Sequence, residues 1–479
     1  MSLPKSWRNI PEYYRLIASK DESRGLSIPP RYIDTGRGRE GEVIYESLMW
    51  KDASLYSYSK KVENGFLYYC AIVEIDGAKV STYLTDMDRE PEIGMELEPT
   101  FRRLGETKEG VIKYGLAFRP KQGSKSFKKK NPVKKFDRAG IVGYGVHIPK
   151  YRIKMEEMAK EMKKDPKILI NQTGFKEKAV LAPDQDTTTI GVDAAKNALK
   201  YACIDGSEIG SIRFGSESPP YAVKPSAITV AEAIGATPRV EAHDMECACK
   251  AATGGFIYAL SVVENGYFEC DYSMVVGADN SQAEEGDVLD NTVGCGAAAF
   301  IFGKYDVIAS LEAYEPYTTD IPDFWRREGS PFPRHGGGFT GDPAYFKHTQ
   351  AAAINLMERT GIEPHEIDHV VLHQPNGKFP WKAAQRLGFT WEQYKLGFVA
   401  DWIGNAYSAS TLIGLANIFD HARDNELILH VAFGSGAGAD AFLWRTEEPI
   451  LWKEGITVQE QLKRKIYVNY HTYRKTKNG

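Results

Sequence analysis

The sequence predicts an α/β protein whose main sheet is covered on both faces, preceded by a small all-β domain. Three observations predict it. From Ala139 to about residue 446, strand-like and helix-like segments alternate, and many of the strands are apolar throughout, as in a sheet buried on both sides. Residues 40–118 instead alternate in strand fashion. The stretch that follows Lys250 (AATGGFIYALSVV) is apolar almost all round, which belongs to a helix in the middle of a large core.

The chain has 479 residues, enough for about two to four domains. With 42% apolar and 26% charged residues and a net charge of −4, the composition is that of an ordinary globular protein and does not point to nucleic acid. No run approaches the length of a membrane span, and the N-terminus lacks the apolar core of a signal peptide. The six cysteines, two of them in one motif, do not form a disulfide framework. The expectation is a cytoplasmic protein with free thiols and no membrane contact.

In chain order, residues 1–38 are polar and turn-rich around Pro29-Pro30-Arg31. Residues 39–120 contain five short β-rich segments at the spacing of a small closed barrel of the OB type. These strands carry no basic, aromatic face, so a nucleic-acid role is not predicted. Residues 121–137 are lysine-rich with Gly, Ser, Asn and Pro, the composition of a solvated linker. The alternative is electrostatic help for a ligand with phosphates, such as coenzyme A. Residues 138–446 form the α/β region, with strands expected at 211–218, 272–280, 296–303, 307–315, 369–374 and 427–436. Helices are expected at 188–203, 226–235, 344–360, 380–387 and 408–423. Residues 447–479 read as a basic, helical packing arm.

Four places carry candidate chemistry. Cys249 opens the apolar helix, where unpaired N–H groups and the helix dipole favour a thiolate and so a nucleophile. The plain alternative for Cys247 and Cys249 is that of small buried hydrophobes. His373 follows an apolar strand directly, where a histidine can hydrogen-bond a carbonyl or move a proton; many such histidines are simply core residues. Asn405 sits in a tight turn before another apolar helix, and a buried amide there can orient a carbonyl. The glycine-rich turn after residue 432 offers backbone N–H groups near Gly434 and Ser435, which with that of Cys249 can make an oxyanion hole.

The segments GSES (215–218), ECACKA (246–251), RHGGGFTGDPAYFKH (334–348), HQPNGKFP (373–380), GNAYSAS (404–410) and FGSGAGADAF (433–442) resemble the thiolase superfamily, and more closely the archaeal 3-hydroxy-3-methylglutaryl-CoA synthase family. The resemblance implies a thiolase-like five-layer αβαβα sandwich of two similar halves, about 138–305 and 306–446, each with a five-stranded sheet. It implies an acyl-CoA condensing enzyme that works through an acyl-cysteine. The roles it assigns are nucleophile for Cys249, acid/base for Glu217 and polariser of the acceptor for His373. Asn405, Lys378 and Ser435 are the substrate-binding candidates, with an oxyanion site at the N–H groups of Cys249 and Gly434. It further implies coenzyme A thioesters as substrates, no tightly bound cofactor, and a homo-oligomer, at least a dimer. A thiolase would carry a second catalytic cysteine in the last glycine-rich turn, where this chain has none; a ketoacyl synthase III would not need Glu217. Those two enzyme types and a non-catalytic acyl-CoA-binding scaffold are the alternatives.

Residues 1–120 resemble the zinc-ribbon and OB-barrel domain that accompanies acyl-CoA condensing enzymes, and the barrel is then a surface on which a further pathway enzyme docks. The pattern departs from that family at every metal ligand: Asp21, Arg24, Asp34 and Arg37 stand at the four cysteine positions, so no zinc is expected. The expectation there is two turns joined by Asp–Arg pairs, against an alternative of two separate solvated loops.

Overall fold

A computed structural model of the chain describes residues 7–21, 25–30, 44–63, 66–123, 131–267, 271–436, 438–448 and 455–478. It divides into two compact units, one on residues 1–129 and one on the bulk of residues 130–479.

In the first unit, β1 (Ala53–Glu63), β2 (Phe66–Ile75), β3 (Ala78–Leu84), β4 (Glu96–Glu106) and β5 (Ile112–Pro120) close into a barrel of order β1-β2-β3-β5-β4. Every pair is antiparallel except β3 with β5. Alternation supplies the inside: Leu55, Val73, Ile75, Leu84, Leu97 and Phe118 are buried together. The buried Arg102 and Arg119 are paired with Asp86 at 2.7 Å and Glu98 at 2.9 Å, as charges removed from water require. Before the barrel, Ile17–Asp21 pairs with both Gly25–Ser27 and Ile44–Ser47. Of the proposed Asp–Arg clasp, Arg24, Asp34, Arg37 and the Asp21 side chain lie outside the described residues.

The second unit is built twice on one plan. Its first half runs β6 (Lys135–His147), α1 (Thr187–Ala202), β7 (Ile209–Gly215), β8 (Glu241–Met245), α2 (Ala251–Asn265), β9 (Tyr272–Asn280) and β10 (Cys295–Tyr305). The second runs β11 (Ala309–Tyr317), α3 (Lys347–Thr360), β12 (His369–Leu372), α4 (Ser410–Phe419), β13 (Leu427–Gly434) and β14 (Gly438–Thr446). Across the sheet the order is β8-β7-β9-β10-β6 and then, mirrored, β11-β14-β13-β12. In the sheet the halves meet where Ala309 pairs with Ile141 and Ser310 with Gly140. The second half contributes four described strands to this sheet where the resemblance implies five. Short helices at Phe379–Arg386, Trp391–Tyr394 and Ala400–Ile403 fill that part of the chain.

Helices α2 and α4 form the middle layer. Phe256 of α2 packs on Phe302 of β10 and on Phe442 and Trp444 of β14, so it touches both half-sheets. Every residue of α4 is buried. The apolar composition read from the sequence is what such a layer demands. With α1 against the first half-sheet and α3 against the second, the layers are αβαβα. The strand at Gly438–Thr446 is absent from the sequence reading because its glycine-rich start resembles a turn.

Candidate active site

Cys249 is placed by an elbow. Strand β8 ends at Met245, a short 3-10 turn spans Ala248–Lys250, and α2 begins at Ala251. Ala248 takes φ +48°, a conformation L-residues rarely adopt, so the chain turns sharply enough to present the next side chain. Lys250 anchors the elbow to the second half: its Nζ lies 2.9 Å from Asp440 Oδ2, which also accepts from Thr253 Oγ1. The approach is close on the other side too, since a Cβ on Gly434 would sit 2.3 Å from the Cys247 carbonyl oxygen.

Cys249, His373, Asn405 and Ser435 line one cavity of about 500 Å³, together with Asn291, Phe324, Tyr345, Tyr407 and Phe433. The carboxyl of Glu217 lies beside the Cys249 thiol, and each shifts the other's titration. Burial, then the charge of Glu217, holds the thiol well above its ordinary range. This corrects the expectation of a thiolate favoured by the helix dipole. Burial of the thiol is the largest cause, and the neighbouring carboxyl adds to it, so the two together outweigh the helix dipole. Glu217 itself is pushed up to about 8 by burial and by the charge of Asp279. One carboxyl oxygen, Oε1, has no hydrogen-bond partner among the described residues. The arrangement is a protonated nucleophile beside a base poised near neutrality, the state in which proton transfer in either direction is easiest.

His373 follows β12, its N–H bonded to the Val431 carbonyl at 2.9 Å and its own carbonyl accepting from Tyr345 Oη at 2.7 Å. Burial lowers its pKa to about 3, so the ring is neutral and donates one N–H instead of carrying charge. Asn405 Oδ1 accepts from Tyr407 N and Ser410 Oγ, each at 2.9 Å, which fixes the amide and leaves its NH₂ as the free end. Ser435 lies beside Asp323, whose carboxyl burial raises and Ser435 partly offsets. Lys378 is exposed, with Nζ 3.4 Å from Asn171 Oδ1, while Asn376 and Phe379 on either side line the cavity.

Two buried carboxylates that the sequence reading passed over organise this site. Asp279 ends β9 and accepts on Oδ1 from Ser216 Oγ, Glu217 N, Ser218 N and Ser218 Oγ, and on Oδ2 from Ser408 N at 2.9 Å. It therefore holds the segment carrying Glu217 and ties it to the second half. Asp323 accepts from Gly436 N at 2.6 Å and fixes the glycine-rich turn. An acid closing an apolar strand (VVGAD) was the available signal for the first; for the second the sequence offers none.

A family model described as 3-oxoacyl-[acyl-carrier-protein (ACP)] synthase III C terminal matches residues 357–446. The hydroxymethylglutaryl-CoA synthase of Methanocaldococcus jannaschii is 50% identical over 339 residues, 70% of this chain and 98% of that protein. The chain belongs to the hydroxymethylglutaryl-CoA synthase family. The Methanothermobacter thermautotrophicus synthase is 49% identical over 341 residues, covering 71% of this chain and 98% of its own length. In fold, the chain is similar to a crystal structure of an HMG-CoA synthase complexed with CoA, with TM-score 0.64 and 22% identity over 71% of this chain and 90% of that one. It is also similar to 3-oxoacyl-[acyl-carrier-protein] synthase III of Aquifex aeolicus, with TM-score 0.58 and 23% identity over 64% of this chain and 99% of that one. Among the described residues no helix is long and apolar enough to cross a membrane. None of their His, Cys, Asp and Glu side chains form a metal-holding group of three or more.

Proposed function

We propose that this member of the hydroxymethylglutaryl-CoA synthase family condenses two coenzyme A thioesters at Cys249. The thiol passes its proton to the Glu217 carboxylate as the sulfur attacks the donor thioester carbonyl; collapse of the tetrahedral oxyanion expels the coenzyme A thiolate, which takes that proton back from Glu217. The N–H groups of Cys249 and Gly434 are the candidate donors to that oxyanion. Glu217, as carboxylate, then removes a proton from the acyl carbon next to the new thioester, and the carbanion forms a carbon–carbon bond to the carbonyl of the acceptor. The neutral His373 and the amide of Asn405 donate to that carbonyl oxygen as it gains charge. Glu217, now protonated, returns its proton to the resulting alkoxide. Water hydrolyses the thioester to Cys249 and regenerates the thiol.

The observation that carries this reading is the cavity that Cys249 shares with His373 and Asn405, with the Glu217 carboxyl beside the thiol. Glu217 favours it over ketoacyl synthase chemistry, which has no use for a base beside the acyl carbon. The residue 1–120 domain, with its closed barrel, is read as an OB-type accessory to the same enzyme. The test is the Glu217→Gln variant with acetyl-CoA alone and then with acetoacetyl-CoA added. Cys249 should still become acylated, while condensation should slow by about 10²-fold or more. Unchanged condensation would turn the assignment toward a ketoacyl synthase.

A further inference from the structure

One polar group in the cavity is used by nothing described above. Asn291 lines the cavity and is only 5% exposed, yet its Oδ1 has no hydrogen-bond partner among the described residues. A buried amide left in that state is costly unless a ligand satisfies it. Its place in the cavity is close to the reacting centre. Leu289 and Val293, two residues to either side, pack in one cluster with Cys249 and Tyr407.

The turn that carries Asn291 is also held stiff. Val293 N bonds back to Leu289 O at 3.0 Å and Thr292 N to the same oxygen at 2.8 Å. Next door, Asp290 is clamped by the C-terminal arm: Tyr473 Oη donates to Oδ1 at 2.6 Å and Arg474 Nη1 to Oδ2 at 3.3 Å. From the opposite side Lys178 Nζ donates to the Asp290 carbonyl. A turn fixed by its neighbours that carries an amide oxygen satisfied by none of the described residues is preorganised for a ligand.

Resting on the condensing reading above, we propose that Asn291 is a specificity-determining residue: it hydrogen-bonds an uncharged hydroxyl or amide substituent on the acyl chain of the acceptor. The reacting carbonyl is not its partner, since His373 and Asn405 take that role. A carboxylate is not favoured, because Lys164 is the one lysine or arginine among the described residues that line the cavity. An amide both accepts and donates, which suits a hydroxyl or an amide equally.

The experiment compares 3-oxohexanoyl-CoA with 5-hydroxy-3-oxohexanoyl-CoA as acceptors, with acetyl-CoA as donor, in the wild type and in Asn291→Leu. The wild type should prefer the hydroxylated acceptor by about 10-fold or more in kcat/KM, since a site built to bind a hydroxyl rejects the analogue that lacks it. Asn291→Leu should erase that preference, bringing kcat/KM for the hydroxylated acceptor down to that for 3-oxohexanoyl-CoA. Its melting temperature should hold or rise, because an unsatisfied amide has gone. An indifferent wild type overturns the proposal. So does an equal loss for both acceptors, which would put Asn291 on the pantetheine arm they share, and so does a fall in melting temperature with the preference intact. Acylation of Cys249 by acetyl-CoA is followed in parallel, and its absence in the wild type would sink the condensing reading instead.

Discussion

The two halves of the second unit use the same backbone device and put it to different ends. In the first, Ala248 at φ +48° leads through a 3-10 turn into α2; in the second, Tyr407 at φ +44° leads through a 3-10 turn, Tyr407–Ala409, into α4. The residue after each strained position is Cys249 in one and Ser408 in the other. Cys249 faces the cavity. Ser408 is spent on structure: its Oγ accepts from Ala252 N at 3.1 Å and its N–H donates to Asp279 at 2.9 Å. The repeated elbow therefore supplies a nucleophile once and, the second time, a brace for the first. Correspondingly, Glu217 and His373 each stand just past the end of an equivalent strand, β7 and β12, one as a raised carboxyl and the other as a neutral ring. A duplicated scaffold specialises by changing side chains at matched places, with the backbone left alone.

The sharpest way to break this comparison is to exchange the elbows' residues. Cys249→Ala should abolish acylation, and adding Ser408→Cys should not restore it, because that position is 1% exposed and enclosed by its own hydrogen bonds. Cys247→Ala should leave acylation intact. An acyl adduct on the new thiol, read by peptide mass spectrometry, would show that the halves are interchangeable after all.

Next in size is Asp279, the carboxylate that joins the halves. Asp279→Asn turns one acceptor oxygen into a donor facing N–H or O–H groups, and should cost about 2–4 kcal/mol of stability in a melting or denaturant experiment. It also removes a negative charge beside Glu217. The rising limb of kcat/KM, set by the carboxylate form of Glu217 near pH 8 in the wild type, should therefore move to lower pH. A stability loss with an unmoved limb would reduce Asp279 to a structural role.

The smallest effect is in stability against pH. Glu217, raised from 4.5 to about 8, binds an extra proton in the folded state across that range, so its contribution to stability is lost as pH rises through 8. Asp279 acts in the same sense between 3.8 and about 6, and His373 in the opposite sense between about 3 and 6.5. Between pH 6.5 and 8 only Glu217 of these three still changes. Glu217→Gln should flatten the melting temperature in that window, which differential scanning of both proteins at several pH values will show.

Much of this was legible in the sequence. Period-two alternation announced the barrel, and apolar strands with helices lacking a polar face announced a covered sheet. Cys249, His373 and Asn405 stood out because each sits where an apolar segment ends, and their family motifs tied them to Glu217. What the sequence hid were relations between distant residues. The thiol is raised first by burial and then by a carboxyl more than thirty positions upstream, which the pairing of β7 with β8 brings near. The second elbow shows in the sequence only as a tight turn at Asn405, with no sign that it repeats the first, and Asp279 reads as an acid near a strand end until its five donors are seen. Asn291 gave no signal at all, since an unpartnered amide is a property of the fold and not of the residue.

The central claim is that one thiol, based by Glu217, carries the acyl group that is condensed. The most direct measurement is acid-quenched peptide mapping of the wild type, first with acetyl-CoA alone and then after acetoacetyl-CoA is added. The acetyl mass should accumulate on the peptide at Cys249 and be discharged by the acceptor, with a condensed product of higher mass appearing in solution. An adduct on Cys247, no adduct, or an adduct that the acceptor leaves in place would contradict the account.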